Sequence, residues 1–292
     1  MPGIARIPRS GGAPQPVVAA QDPLNTVLAN STLFYLDWPA TVDSTRPWIL
    51  DLKSVSTQGG TPMVLLHGLI GPLATDGDNV YWGTPFSPFE MRYVDAPGID
   101  LAFGRFKLSD QSVKTLPLDA GEKVNRIALG ADAVYFSTFV GSPFEGRIRR
   151  VPKDYSQVTT IVRVQAVIDQ MAVDGSAVYF CDTRPPSPVL TRVNLDGTNP
   201  VPLATLDRCD GLAVGANAVY VASFGTSVNA GRVAKIAKTG GCEITVTAAT
   251  APSDLTLYGG SVYFWEYNQV EVGRPPLEGR PIVTPSIMAT LE

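Results

Sequence analysis

The sequence predicts an all-β fold, a six-bladed β-propeller of four-stranded antiparallel blades, from three observations. A Val-Tyr-aromatic strand recurs as RIALGADAVYF (Arg126–Phe136), QMAVDGSAVYF (Gln170–Phe180), GLAVGANAVYV (Gly211–Val221) and DLTLYGGSVYF (Asp254–Phe264). Looser copies are PLATDGDNVYW (Pro72–Trp82) and VLANSTLFYL (Val27–Leu36). The tyrosines Tyr35, Tyr81, Tyr135, Tyr179, Tyr220 and Tyr263 are separated by 46, 54, 44, 41 and 43 residues. Each period of roughly 40–55 residues holds four β-prone runs, without the spacing that stacked helices would need.

Within a period the grammar is constant. A short apolar run leads to Gly, Asp or Asn, which permit a tight turn, and then to the Val-Tyr-aromatic run. A variable Pro/Gly/Ser loop follows. The third run carries a basic or polar face, as in GRIRRVPKD (Gly146–Asp154), VLTRVNLDGT (Val189–Thr198) and GRVAKIAKTGG (Gly231–Gly241). A fourth run closes the unit: VTTIV (Val158–Val162), VPLATL (Val201–Leu206) or ITVTA (Ile244–Ala248). At the start, GIARIPRSGGAPQPVVA (Gly3–Ala19) matches a third and fourth run, so the chain begins in mid-blade. A weaker pair, QVEVGRPPLEGRPIV (Gln269–Val283), lies near the end. Strands from both termini are expected to close the ring in one shared blade, with seven blades as the alternative count. The expectation is one propeller domain over residues 1–292.

Composition agrees with a packed β protein. Hydrophobic residues make up 45% and charged residues 17%, while Gly 27 and Pro 25 suit many short strands joined by turns. A formal charge of -4 and no basic run argue against a nucleic-acid partner. No apolar stretch is long enough to span a membrane as a helix. The first residues lack the apolar core of a signal peptide, and the final Leu291-Glu292 reads as an appended remnant, so a trimmed secretory leader is expected.

Two resemblances bear on the repeat. VDGSAVYF…LTRVNLDGT resembles the YWTD repeats of low-density-lipoprotein-receptor-type propellers, and RIPRSGGAPQPVVA with LATDGDNVYW resembles repeats of secreted bacterial propeller proteins. The resemblance implies a six-bladed fold; a secreted or cell-envelope location is a separate expectation. It implies no activity, because the matching residues are strand and turn positions. The Tyr-Trp form survives only at Tyr81-Trp82, without a following Thr-Asp, so the receptors' binding residues do not carry over.

The phase sorts loops by face. The loops after second runs and the connectors before first runs share one face, which carries the longer, more variable loops and is the expected functional side. Entering the first runs are Asn25, Asn125, Asp169, Asp210 and Asp254, a set of oxygen ligands suited to a hard cation such as calcium. The same residues also suit strand capping around a wet channel. A duplicated Ser-Pro-Phe-Glu places Phe89 with Glu90 and Phe144 with Glu145 in matching loops, and with Phe86, Phe139 and Phe224 they form a candidate aromatic groove for a protein or glycan ligand; the alternative is that the phenylalanines pack under their own loops.

Catalytic signals are sparse. The single histidine, His67, lies in the apolar VLLHGLIG, read as a connector beside the same face, and suits either a hydrogen-bonded structural residue or a general base. There is no Gly-x-Ser-x-Gly elbow, phosphate loop, H-E-x-x-H or C-x-x-C. Of three cysteines, Cys181 ends a second run and Cys209 precedes the next first run, so they are placed to pair in an oxidising compartment, leaving Cys242 unpaired; three reduced thiols are the alternative. The expected function is a non-catalytic scaffold binding a protein or glycan. The alternative is a calcium-dependent propeller enzyme, a lactonase-like hydrolase or a lyase. The sequence leaves the oligomeric state open.

Overall fold

The computed structural model describes residues 3–6, 15–20, 23–39, 50–69, 71–83, 102–141, 144–184, 186–224, 231–258, 261–267 and 283–290. Among them there are strands, turns and bends and no helix. The chain forms two compact units. One comprises Met1–Leu129 with Thr138–Gly141 and Val151–Val158, and the other comprises Gly130–Ser137, Ser142–Arg150 and Thr159–Glu292.

In the first unit, β1 (Gly3–Arg6) and β2 (Gln15–Ala19) form an antiparallel pair. A four-stranded sheet follows in chain order: β3 (Leu24–Ala29), β4 (Thr32–Asp37), β5 (Leu50–Ser56) and β6 (Met63–Leu69). The next sheet has the same order, with β7 (Leu73–Thr75), β8 (Asn79–Gly83), β9 (Ala102–Lys107) and β10 (Val113–Pro117). Phe34, Leu36, Leu50 and Leu52 of one sheet pack on Val80, Trp82 and Phe106 of the other. Val17, Val18 and Ala20 at β2 cover Tyr35 and Val55. The sheet β11 (Glu122–Leu129), β12 (Ala133–Gly141), β13 (Phe144–Pro152) and β14 (Thr159–Val164) contributes residues to both units.

The second unit continues with β15 (Ile168–Val173), β16 (Ala177–Asp182), β17 (Val189–Asn194) and β18 (Val201–Thr205). Then come β19 (Gly211–Val214), β20 (Ala218–Ser223), β21 (Gly231–Ala237) and β22 (Ile244–Ala249). A three-stranded sheet comes last in the chain: β23 (Pro252–Tyr258), β24 (Ser261–Tyr267) and β25 (Val283–Thr290). Tyr179, Cys181 and Leu190 pack against Leu212, Val219 and Val221. Tyr220, Ala222 and Val233 pack in turn against Leu255, Val262 and Phe264.

Burial explains the motif. Val134, Tyr135 and Phe136 are each fully buried, as are Val178 and Tyr179, so the second strand is covered on both faces and reads as a continuous apolar run. The fourth strands are sheet edges whose residues are exposed or half-buried almost throughout, and β10 is the most open of them. Pro117 and Pro202 are at home there, since an edge strand tolerates the missing N–H. The glycines that open GRIRRVPK and GRVAKIAK answer a steric demand: a Cβ on Gly146 would lie 2.2 Å from the Ala166 carbonyl oxygen, and one on Gly231 would lie 2.7 Å from that of Ala249.

Two sequence expectations change. His67 lies within β6, the fourth strand of its sheet, and not in a connector; bulges at Leu50/Leu52 and Leu52/Lys53 break the alternation that would mark this strand. At the C-terminus, the run expected to form strands mostly falls at 268–282, outside the described residues, while Val283–Thr290 pairs with β24 in the third-strand position.

Candidate functional site

In the second unit, strands β15, β19 and β23 begin where β16 and β20 end, and the chemistry there is dominated by aspartate and arginine. Asp210 immediately precedes β19. Its carboxylate accepts Nε of Arg208 at 3.0 Å, Nη2 of Arg208 at 2.7 Å and the Phe224 amide at 2.9 Å. Its carbonyl accepts the Gln170 side-chain amide at 3.2 Å and the Asp254 amide at 3.4 Å. The Asp210 hydrogen bonds raise the pKa of the Arg208 guanidinium, and the charge of half-buried Asp169 adds to the effect. That guanidinium also lies 5.2 Å from the centre of the Phe224 ring.

The end of β16 repeats the arrangement. Asp182 is fully buried and its two oxygens accept Nε of Arg184, at 2.7 Å, and Nη2. This pairing likewise raises the pKa of Arg184. The side chains of Arg184 and Arg208 are 49% and 48% exposed, whereas Asp182 and Asp210 are 0% and 15% exposed. Guanidinium groups, not carboxylates, are therefore what these two pairs present to solvent. The pairs flank the disulfide between Cys181 and Cys209, whose Cα atoms are 6.4 Å apart, while Cys242 is free and exposed.

Of the remaining expected ligands in this unit, Asp254 is exposed with φ 44°, in the left-handed region that aspartate tolerates better than most residues. A cation at Asp210 would have to displace Arg208 from both oxygens, so this carboxylate does not fit a calcium site as it stands. No group of three or more His, Cys, Asp or Glu side chains gathers in metal-binding range among the described residues.

The aromatic set is dispersed. Phe86, Phe89 and Glu90 lie outside the described residues, as does the side chain of Phe144. Phe139 is 3% exposed inside β12, so it packs in the interior and not on a loop surface. Glu145 is bound by Arg147 and, at 2.6 Å, by Arg163, and the Arg147 bond leads in lowering its pKa. Phe224 alone of this group lies half-buried next to Asp210.

In the first unit, Asn25 is exposed with φ 47° and donates its side-chain amide to the Gly71 carbonyl at 2.8 Å, while Asn125 is half-buried in β11. His67 Nδ1 lies 2.8 Å from Asp51 Oδ1; the imidazole is 79% exposed and the Asp51 side chain 6% exposed. A buried carboxylate that fixes one ring nitrogen leaves Nε2 as the available proton acceptor, the arrangement general-base catalysis needs.

Sequence reasoning missed Arg184, Arg208 and Asp51. A signal for the arginines was present, because Asp182 and Arg184, and Arg208 and Asp210, are two residues apart and an extended chain puts such pairs on one face.

No family model matches the chain, and no curated protein matches it in sequence. Solved structures do resemble it. A nidogen/laminin complex contains a chain with 19% identity and a TM-score of 0.53, covering 83% of this chain and 84% of that one. An oligogalacturonate lyase from Vibrio parahaemolyticus has 11% identity and a TM-score of 0.59, covering 89% and 75%. A putative TolB from Agrobacterium tumefaciens has 14% identity and a TM-score of 0.51, covering 69% and 73%. At these identities the likeness concerns architecture alone, and with successive four-stranded antiparallel sheets in chain order it identifies the fold as a β-propeller.

Proposed function

We propose that this propeller is a binding scaffold that engages a protein partner through the ends of its sheets around Arg184 and Arg208. The observation that carries the reading is the commitment of Asp182 and Asp210 to those arginines, which leaves half-exposed guanidinium groups facing solvent. Arginine is enriched in binding hot spots, and preorganised side chains lose little entropy on association. The similar chain in a nidogen/laminin complex is a propeller-like neighbour crystallised with a protein partner. A secreted or envelope location belongs to the same proposal, supported by the Cys181–Cys209 disulfide, since such bonds persist in oxidising compartments. The test is affinity capture from the envelope and secreted fractions of the native host. Thr183→Arg, at an exposed position beside Arg184, should abolish capture, whereas Val113→Arg on β10 should not. Equal capture by both variants would refute the reading.

A second reading, an enzyme using His67 as general base, rests on the Asp51–His67 pair. It is supported if a hydrolase or lyase screen of the purified protein finds an activity that His67→Gln removes. An activity that survives that substitution would exclude His67.

A further inference from the structure

We propose that Arg184 and Arg208 form a twin carboxylate-reading surface, and that the scaffold's partner presents an acidic peptide segment to it. This rests on the scaffold reading and names the chemistry of its partner. A guanidinium has five N–H donors. In both residues Nε and Nη2 are turned side-on to an aspartate, and Nη1 has no hydrogen-bond partner among the described residues. The end-on fork formed by Nη1 and the outer Nη2 hydrogen therefore remains open, which is the geometry that accepts a second carboxylate bidentately.

The two forks are tied to one place. Arg184 follows Cys181 by three residues and Arg208 precedes Cys209 by one, and the Cα atoms of those cysteines are 6.4 Å apart. An extended segment of six residues spans about 20 Å, enough to offer a carboxylate to each. The buttressing aspartates weaken the attraction without reversing it. An incoming carboxylate meets the guanidinium across one hydrogen bond, while the aspartate lies on the adjacent edge at somewhat less than twice that separation, and Coulomb energy falls as 1/r. Each pair is close to neutral by itself, and the charge of Asp169 also reaches Arg208, so recognition is short-range and directional.

A peptide fits better than an acidic sugar. Sugar rings dock on open aromatic faces, and here the Phe224 ring has the Arg208 guanidinium over it. Phe180, in β16, is buried.

The test uses the whole chain and a fluorescent hexaglutamate peptide, read by anisotropy, with tetragalacturonate as a second probe. The formal charge of -4 discourages indiscriminate polyanion binding, which makes a positive result informative. Wild-type protein should bind hexaglutamate, and Arg184→Gln with Arg208→Gln should weaken it at least tenfold. Arg163→Gln, which removes an exposed arginine paired with Glu145, should leave it unchanged. Because losing Arg184 strands the buried Asp182, a companion chain adds Asp182→Asn to the double variant and should show the same loss with a native melting profile. Failure of the wild type to bind hexaglutamate, or equal binding by the arginine variants, overturns the proposal. Arginine-dependent binding of tetragalacturonate alone overturns it too, in favour of an acidic glycan. If the native partner is captured and the arginine variants keep it, the scaffold reading stands and this inference falls; if wild type captures nothing, the scaffold reading itself falls.

Discussion

The Lys238 ammonium lies 2.6 Å from Asp174 Oδ2, joining the turn between β15 and β16 to the end of the following β21 across 64 residues of sequence. Asp174 also accepts the amides of Ser176 at 2.8 Å and Ala177 at 2.9 Å and the Tyr179 hydroxyl at 3.2 Å. The first unit repeats the design with Asp76, the Tyr81 hydroxyl at 2.9 Å and Lys153 at 3.5 Å. One carboxylate thus shapes a turn, satisfies a buried tyrosine and latches the next sheet. Asp174→Ala should cost about 2 kcal/mol, more than Lys238→Met, because it leaves several donors unpaired. Urea unfolding midpoints of the two variants provide the comparison.

The same carboxylates set an acid limit. Burial alone would raise the pKa of Asp174, but hydrogen bonds from Lys238, Ser176 and Ala177 overcome it and hold the group well below the usual carboxylate range. Asp76 is lowered in the same way, with burial outweighed by the Tyr81 hydroxyl and the amides of Asn79 and Asp78. A folded pKa below the unfolded value of about 3.9 contributes stability that is complete above that pH and is lost as pH falls toward the folded value. Stability should therefore decline steeply below about pH 4. The double variant Asp76→Asn, Asp174→Asn should start lower and show a shallower decline in melting temperature between about pH 5 and pH 2.

The matching tyrosines differ in their partners. Tyr35 is fully buried and its hydroxyl has no hydrogen-bond partner among the described residues. Burial first, and the charge of Asp37 second, push its pKa up to about 12. At the turn position before Tyr35 stands Asn30, whose side chain donates to the Gly77 carbonyl at 2.8 Å. Tyr35→Phe should thus be neutral or stabilising, whereas Tyr179→Phe should cost about 1 kcal/mol by stripping a donor from Asp174. Thermal melts of the two substitutions should move in different directions or by clearly different amounts.

These contrasts show where a sequence speaks. The tyrosine phase was legible because a strand buried on both faces must be apolar throughout and must follow a tight turn. The Asp174–Lys238 latch was not, since nothing local links residues 64 apart. His67 was misassigned because bulges in its strand pairing erase the two-residue period. Asp210 was legible as a strand-entry residue, but reading it as a cation ligand overlooked Arg208, two positions away on the same face of an extended chain. Phe139 fails for another reason: an aromatic near a loop looks the same in sequence whether the strand stops before it or, as in β12, runs past it.

The Cys181–Cys209 bond closes a loop of 28 residues. Chain-entropy arguments assign such a closure roughly 3 to 4 kcal/mol. Both sulfurs are buried in the packing between β16 and β19, so the bond should resist mild reductant in the native state. Native protein without reductant should titrate one thiol, Cys242, and denatured, reduced protein three. Cys181→Ala with Cys209→Ala should lower the melting temperature by several degrees. Three reactive thiols in the native, unreduced protein would refute the pairing.

Gly211 opens β19 against β23, the first strand of the next sheet. A Cβ there would lie 2.7 Å from the Asp254 backbone nitrogen, 3.1 Å from that of Leu255 and 3.2 Å from the Ala222 Cβ. Two of these neighbours are backbone, which cannot swing aside as a long side chain can. Gly211→Ala should therefore force β19 and β23 apart and cost about 2 kcal/mol. Gly175, in the turn between β15 and β16, provides the control, since a Cβ there meets nothing within 4 Å. Gly175→Ala should stay within about 0.5 kcal/mol of the parent. Because the Asp254 amide reaches the Asp210 carbonyl at 3.4 Å, the Gly211 variant should also speed hydrogen exchange at Asp254. Unchanged exchange there, alongside unchanged stability, would mean that the two strands have more freedom than their packing implies.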